Sequence, residues 1–358
     1  MDKSVKVSSI QMAMLAMGFL FGGTAVVNPA ASARQDAWIA DIISFVGGLA
    51  LIGAYVTISK LNPGKTLIDI LRHAFGKVFG SAVAVLYIWY IIHQISLALR
   101  GATGFMTNTI YPETPDMFIA IAIMLVSVYM VKKGLEAVAR VSELLVPVFL
   151  VSAMTLFFTL ISLYKPSNFL PVLERGFAPV AEASFTMTVF PYGESVILLM
   201  IFPHLYKKGK LTKSCFIAAA FAGFIFVMIS ARELMVLGPD MMTRAMNANF
   251  ISAKLVPGID IEALIATNLM IGSGIKICIC LYAAAYAIAQ LLGQDSHKTF
   301  VMPVAILGVV MSLWLFDSII EKNLWQKEVY PYYALPFQIV IPAALLILSK
   351  VKKKKAIK

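Results

Sequence analysis

Charge is scarce in this sequence. Only 14% of its 358 residues are Asp, Glu, Lys or Arg, where a water-soluble domain carries about 25%. Hydrophobic residues make up 60%. So few polar side chains cannot cover so much apolar surface, which excludes a water-soluble fold and makes lipid the solvent for much of the chain. Cysteine is nearly absent as well. Cys215, Cys278 and Cys280 lie in or beside apolar runs. Cys278 and Cys280 stand two apart, so on a helix they diverge and suit neither a disulfide nor a metal. All three read as small apolar fillers. Catalytic constellations are missing too. There is no HExxH, no GxSxG, no Walker loop and no cysteine–histidine ligand spacing, and His73, His93, His204 and His297 are far apart. The expectation is no enzyme, no cofactor and no metal. Without an ATPase motif, a transporter-like body would use a gradient, or would transport nothing and signal.

Basic residues are the one charged class in excess, giving a net charge of +11. They fall in short clusters between apolar runs rather than along a stripe that could follow a phosphate backbone, so nucleic acid is not an expected partner. Lys350, Lys352, Lys353, Lys354, Lys355 and Lys358 follow directly on an apolar run. That is the usual stop beside the anionic cytoplasmic leaflet of a lipid bilayer. At the other end, Lys3, Lys6, an apolar run and Ala31-Ser32-Ala33 have the outline of a cleavable signal peptide. The run from Ile10 to about Ala31 is too long for one, so it reads as a true span.

Apolar stretches bounded by charge or turn residues give about ten spans, approximately 9–31, 37–59, 79–99, 116–132, 143–164, 182–204, 214–237, 262–292, 299–319 and 331–349. With the N-terminus inside, twenty basic residues fall on the cytoplasmic side and nine outside, while Lys276 lies within a span. That bias puts both termini in the cytoplasm. The longest loop, Leu237 to Asp260, falls outside, between Gly238-Pro239-Asp240 and Pro257-Gly258 turn chemistry, and has room for one or two short helices. No low-complexity linker divides the chain, so residues 1–358 read as one transporter-like domain.

Two spans are interrupted near mid-bilayer. Span one contains Gly22-Gly23-Thr24 and ends at Asn28-Pro29, and span six contains Phe190-Pro191-Tyr192-Gly193-Glu194. Glycine weakens a helix, proline removes a hydrogen bond, and in hydrocarbon the freed backbone groups must face protein, a ligand or a cavity. Small residues for close packing and a simple proline kink would explain each break singly. Matching breaks in the first and sixth of ten spans point instead to two inverted five-span halves, about 9–164 and 182–349, followed by the tail 350–358.

With these features the chain resembles the amino acid–polyamine–organocation transporter superfamily, and within it the spore-germination permeases, the B subunits of nutrient germinant receptors. The resemblance rests on Gln35-Asp36-Ala37-Trp38 after span one, on the Phe190–Glu194 run, on the length and on the basic tail. Gln35 departs from the arginine often found there, with Arg34 next to it. The resemblance implies a five-plus-five inverted repeat that holds a small molecule at helices one and six. It also implies a sensor for a germinant, an amino acid by expectation, with A-type and C-type receptor subunits as partners in the spore inner membrane. The alternative is a proton-coupled amino-acid or polyamine permease.

Several residues would carry such a site. Freed amides around Gly22, Gly23 and Thr24 are placed to hold a carboxylate, with Phe190, Tyr192, Gly193 and Glu194 shaping the rest. Tyr87, Tyr90 and Gln94 share a face of span three, as a pocket wall or as interhelix hydrogen-bonders. Glu194 reads as a proton-sensitive group or counter-charge, or as a partner for backbone amides freed by the break. Lys276, about midway along span eight, reads as a fixed cation or proton carrier, or as an ion-pair partner for an acid such as Glu194.

Overall fold

The start and stop residues of the helices are written locally. In the computed structural model, which describes residues 6–22, 28–255 and 261–357, Ser8 and Gln11 form a capping box that opens α1 (Ser9–Phe21). Thr66 and Asp69 do the same for α3 (Leu67–Phe75). Such reciprocal caps satisfy amides that the first helical turn leaves unpaired. Gly76 and Gly134, at φ +87° and +104°, reverse the chain in one residue between α3 and α4 (Lys77–Thr109), and between α5 (Asp116–Lys133) and α6 (Leu135–Thr159). Only glycine takes those angles without strain.

The remaining helices are α2 (Ala37–Leu61), α7 (Ala178–Met187), α8 (Leu211–Arg244), α9 (Ala248–Lys254), α10 (Glu262–Leu292), α11 (Lys298–Trp314), α12 (Ile319–Glu328), α13 (Tyr330–Leu335) and α14 (Ile341–Ile357). Among the described residues there is no strand, only an isolated bridge from Val7 to Leu205. Seven helical segments are long and apolar enough to cross a membrane, or eight if α11 and α12, bent by 97°, form one span. Two of the ten expected spans fall short of that measure. The first is α1, which stops at Phe21. The other is α5, whose 18 residues include Asp116, Lys132 and Lys133. On α6 the exposed Leu144, Val148, Val151 and Phe158 form one apolar stripe, the surface lipid requires.

α10 is the hub. It packs against α1, α4, α5, α6 and α11, and its residues Ile277 to Ala285 are buried without a break. A helix with no exposed face belongs at the centre of a bundle. α1 lies against α6, α8 and α10, while α2 bridges α7, α8 and α14.

Besides Gly238 in α8 and the bend between α11 and α12, three helices are interrupted. α1 ends at Gly22, which is extended (φ −64°, ψ 103°); Gly23 and Thr24 lie outside the described residues. α7 gives way at Thr188–Tyr192 to a wide π-type turn in which Phe190 is extended (φ −123°, ψ 114°), and a tight 3-10 segment, Gly193–Met200, follows. The third break, unforeseen in the sequence, is a π-type turn at Pro336–Val340 in the last span. The 237–260 loop holds a break at Gly238 (φ +75°) followed by α9; Pro257-Gly258 lies outside the described residues.

Close approach of α1 to α10 depends on glycine. A Cβ on Gly272 would lie 2.7 Å from the carbonyl oxygen of Phe21, a backbone atom that cannot swing aside, whereas one on Gly274 would meet nothing within 4 Å. Gly272→Ala should therefore lower the stability of the detergent-solubilised protein by at least about 1 kcal/mol. Gly274→Ala should be neutral or gain up to about 1 kcal/mol from helix propensity. Thermal unfolding of both variants checks this, and equal midpoints would mean the two helices are not held this close.

Candidate functional site

An ion pair joins the broken helices. Lys276 Nζ lies 2.5 Å from Glu194 Oε2, with both side chains almost wholly buried. Lys276 comes from the middle of α10 and Glu194 from the 3-10 segment just after the break in α7. The ammonium also donates to the carbonyl of Gly22 at 3.4 Å. That carbonyl sits at the end of α1, where unpaired carbonyls give a helix its negative pole. Phe190 and Phe19 present their rings to the same ammonium at 5.1 and 5.7 Å, a favourable cation–π arrangement.

The second carboxylate oxygen belongs to the last span. Tyr330 donates its hydroxyl to Glu194 Oε1 at 2.6 Å and accepts from Gln94 Nε2 at 3.0 Å and Gln338 Nε2 at 3.3 Å. Gln338 Nε2 donates to Tyr90 at 2.8 Å as well. Both oxygens of Glu194 are thus compensated, which is the condition for keeping a carboxylate in a low-dielectric interior.

Backbone groups freed by the third break are also met. In the π-type turn the amide of Ile341 bonds the carbonyl of Pro336, so Phe337 would next turn to Pro342, which has no N–H. Tyr87 supplies that donor, its hydroxyl 2.6 Å from the Phe337 carbonyl. Tyr55 does the same for Gln338 at 2.7 Å and reaches Gly193 at 3.1 Å.

Beside the ion pair lies a cavity of about 30 Å³, walled among others by Gly22, Gln94, Phe190, Glu194, Ser273 and Lys276. It has room for about one water, and the volume of a small-molecule site is reached only together with the vestibule next to it. A wider vestibule of about 420 Å³ adjoins it, and the two share Phe190, Met246, Asn323 and Gln326 as a dividing wall.

Of the residues singled out in the sequence, Gly22, Phe190, Glu194 and Lys276 come together at this cavity. Tyr87 and Tyr90 do not line it, because their hydroxyls are spent on the last span. Tyr192 turns away, its ring seated over Gly48 and edge-on to Phe226. Gly193 faces Gln338, with no room for a side chain. The Gln35–Trp38 segment lies elsewhere and clamps the loop before α7. Gln35 donates to the Pro171 carbonyl and to Glu174, Asp36 accepts from Leu173, and Trp38 meets Phe169 edge-on. Sequence reading missed Tyr330, Gln338 and Tyr55. The available sign was the triple-proline run Pro331, Pro336, Pro342 in the last span, a third break of the same kind.

Broken helices around a central buried site, in an all-helical membrane protein, define a transporter-like body, and comparison with solved structures agrees. The chain superposes on Mhp1, a nucleobase-cation-symport-1 family transporter, with a TM-score of 0.72 at 14% identity, covering 95% of this chain and 77% of that one. MhsT, solved in complex with L-phenylalanine, gives 0.65 at 13% identity over 95% and 97%. Within that fold class, residues 6–318 match the spore germination protein family, and the chain belongs to it. Spore germination protein KB of Bacillus subtilis (strain 168) is 28% identical over 99% of this chain and 97% of its own. The family and fold are those of receptors or transporters.

The ion pair sets a test of its own. Lys276→Met leaves a buried carboxylate half-compensated and Glu194→Gln leaves a buried ammonium, so each alone should cost about 3–5 kcal/mol. The double variant removes both charges and should be more stable than either single one. Unfolding midpoints of the four proteins measure this; additive losses in the double variant would mean the groups do not pair.

Proposed function

We propose that this protein is the membrane subunit of a nutrient germinant receptor. It binds an amino acid in the cavity between the broken helices and passes the occupied state to A-type and C-type partner subunits. Ten spans cross the spore inner membrane, with both termini in the cytoplasm. They form two inverted halves, about 9–164 and 182–349, within one domain. Short helices support that repeat: α3 follows the second span of the first half, and α9 follows the second span of the other. The breaks in α1 and α7 stand at matching positions.

The observation that carries the reading is the meeting of Gly22, Phe190, Glu194 and Lys276 around a buried cavity where helical backbone gives out, next to a vestibule wide enough for a small molecule. Membership in the spore germination protein family supports sensing, and the L-phenylalanine complex of MhsT, a protein of the same fold, supports an amino acid as the ligand class. Lys276 serves as a built-in cation at the open end of α1.

A transporter body of this fold could instead move its ligand. Two measurements on the purified chain in proteoliposomes separate the readings: equilibrium binding of the twenty L-amino acids, and uptake of any that bind under an imposed proton gradient. A sensor binds at least one of them and accumulates none. Gradient-driven accumulation would make the chain a permease.

A further inference from the structure

α12 turns two polar side chains inward. It follows a 97° bend from α11 and packs against α4 and α13. Its apolar Ile320 and Leu324 are 69% and 53% exposed, while Lys322 and Gln326, one turn apart, are 4% and 8% exposed. In a protein bathed by lipid, a polar face turned inward marks a site rather than a surface. By sequence alone this segment reads as an outer loop.

Both buried residues line the cavity beside Lys276 and Glu194, and among the described residues Lys322 has no salt-bridge partner. Its one side-chain hydrogen bond among the described residues is a long contact, 3.4 Å, to Asn323 Oδ1. The nearby acids are already engaged, Glu194 by Lys276 and Tyr330, and Asp116 by Arg100. The cavity wall therefore carries one ammonium more than it has carboxylates. It also carries unpaired neutral acceptors: Gln94 Oε1, Gln326 Oε1 and Ser273 Oγ are buried without a hydrogen-bond partner. In the adjoining vestibule the charged lining residues, among those described, are Arg244 and Lys327 and no acid, a field that draws anions inward.

We propose that Lys322 is the anchor for the ligand's carboxylate, with the amide and hydroxyl oxygens of Gln94, Gln326 and Ser273 taking the ligand's N–H or O–H groups. The proposal rests on the cavity being the ligand site. It moves the carboxylate from the backbone amides near Gly22, where the sequence puts it, to the α12 side. The end of α1 already presents a carbonyl to Lys276, which suits a cation and repels a carboxylate. The ligand class is a small carboxylate bearing a hydrogen-bond donor, and a neutral sugar or a simple amine leaves the ammonium unanswered.

The test uses the purified full chain and three matched probe sets: L-amino acids, their carboxamides, and the deaminated carboxylates. Lys322→Met should weaken binding of the preferred carboxylate by at least about 30-fold, as loss of a buried charge partner does. The carboxamide should bind wild type no better than the carboxylate binds the variant. Because the substitution removes an unanswered buried charge, the variant should melt no lower than wild type, whereas a structural lysine would lower the midpoint. A deaminated carboxylate that binds through Lys322 while amino acids do not would uphold the anchor and overturn the amino-acid reading. Equal binding of acid and carboxamide to wild type, unchanged affinity in Lys322→Met, a lowered midpoint in the variant, or no binding by any probe would each overturn the anchor.

Discussion

The pairing of Lys276 with Glu194 organises this protein. Two charges taken out of water each cost several kcal/mol, and attraction in a low dielectric offsets that only when the geometry is close and the remaining bonding positions are filled. Here they are filled by parts that would otherwise be independent: the terminal carbonyl of α1, the Tyr330 hydroxyl of the last span, and the rings of Phe19 and Phe190. The pair therefore fixes where three interrupted helices end relative to one another and to α10. The cavity exists beside it because backbone stops there and side chains are held back.

A small-molecule site inside a lipid-embedded bundle needs groups that remain polar without collapsing onto each other. The three breaks provide them, since each frees backbone groups that must be answered. Where a tyrosine of α2 or α4 reaches the freed carbonyls, as Tyr55 and Tyr87 do in the last span, the result is a rigid floor. Where groups are left unanswered, on Ser273, Gln94, Gln326 and Lys322, the wall is ready for a ligand. Occupying the cavity would thus be felt by α1, α7, α10 and α12 at once.

Much of this was legible in the residues themselves. Scarce charge gives the membrane, Pro191 and Gly193 give the break in α7, and a lysine and a glutamate deep in apolar runs mark the centre, because backbone chemistry and desolvation act locally. Contacts between distant elements were not legible. The shared face of Tyr87 and Tyr90 has two readings, and the choice between them depended on Pro342, some 250 positions away. Lys322 was hidden for a different reason. A ten-residue helix carrying charges at Glu321, Lys322, Lys327 and Glu328 reads as a solvated loop until its inward face is known.

The central claim is that ligand occupies the cavity beside the ion pair. Its most direct measurement is protection of a cysteine placed on the cavity wall, Ser273→Cys, against a small charged thiol reagent, the native cysteines Cys215, Cys278 and Cys280 being buried. Modification of the introduced thiol in the absence of ligand, slowed at least tenfold by an amino acid that binds wild type, is the result this account predicts. Modification at the same rate with and without a saturating ligand would contradict it and put the binding site elsewhere in the protein.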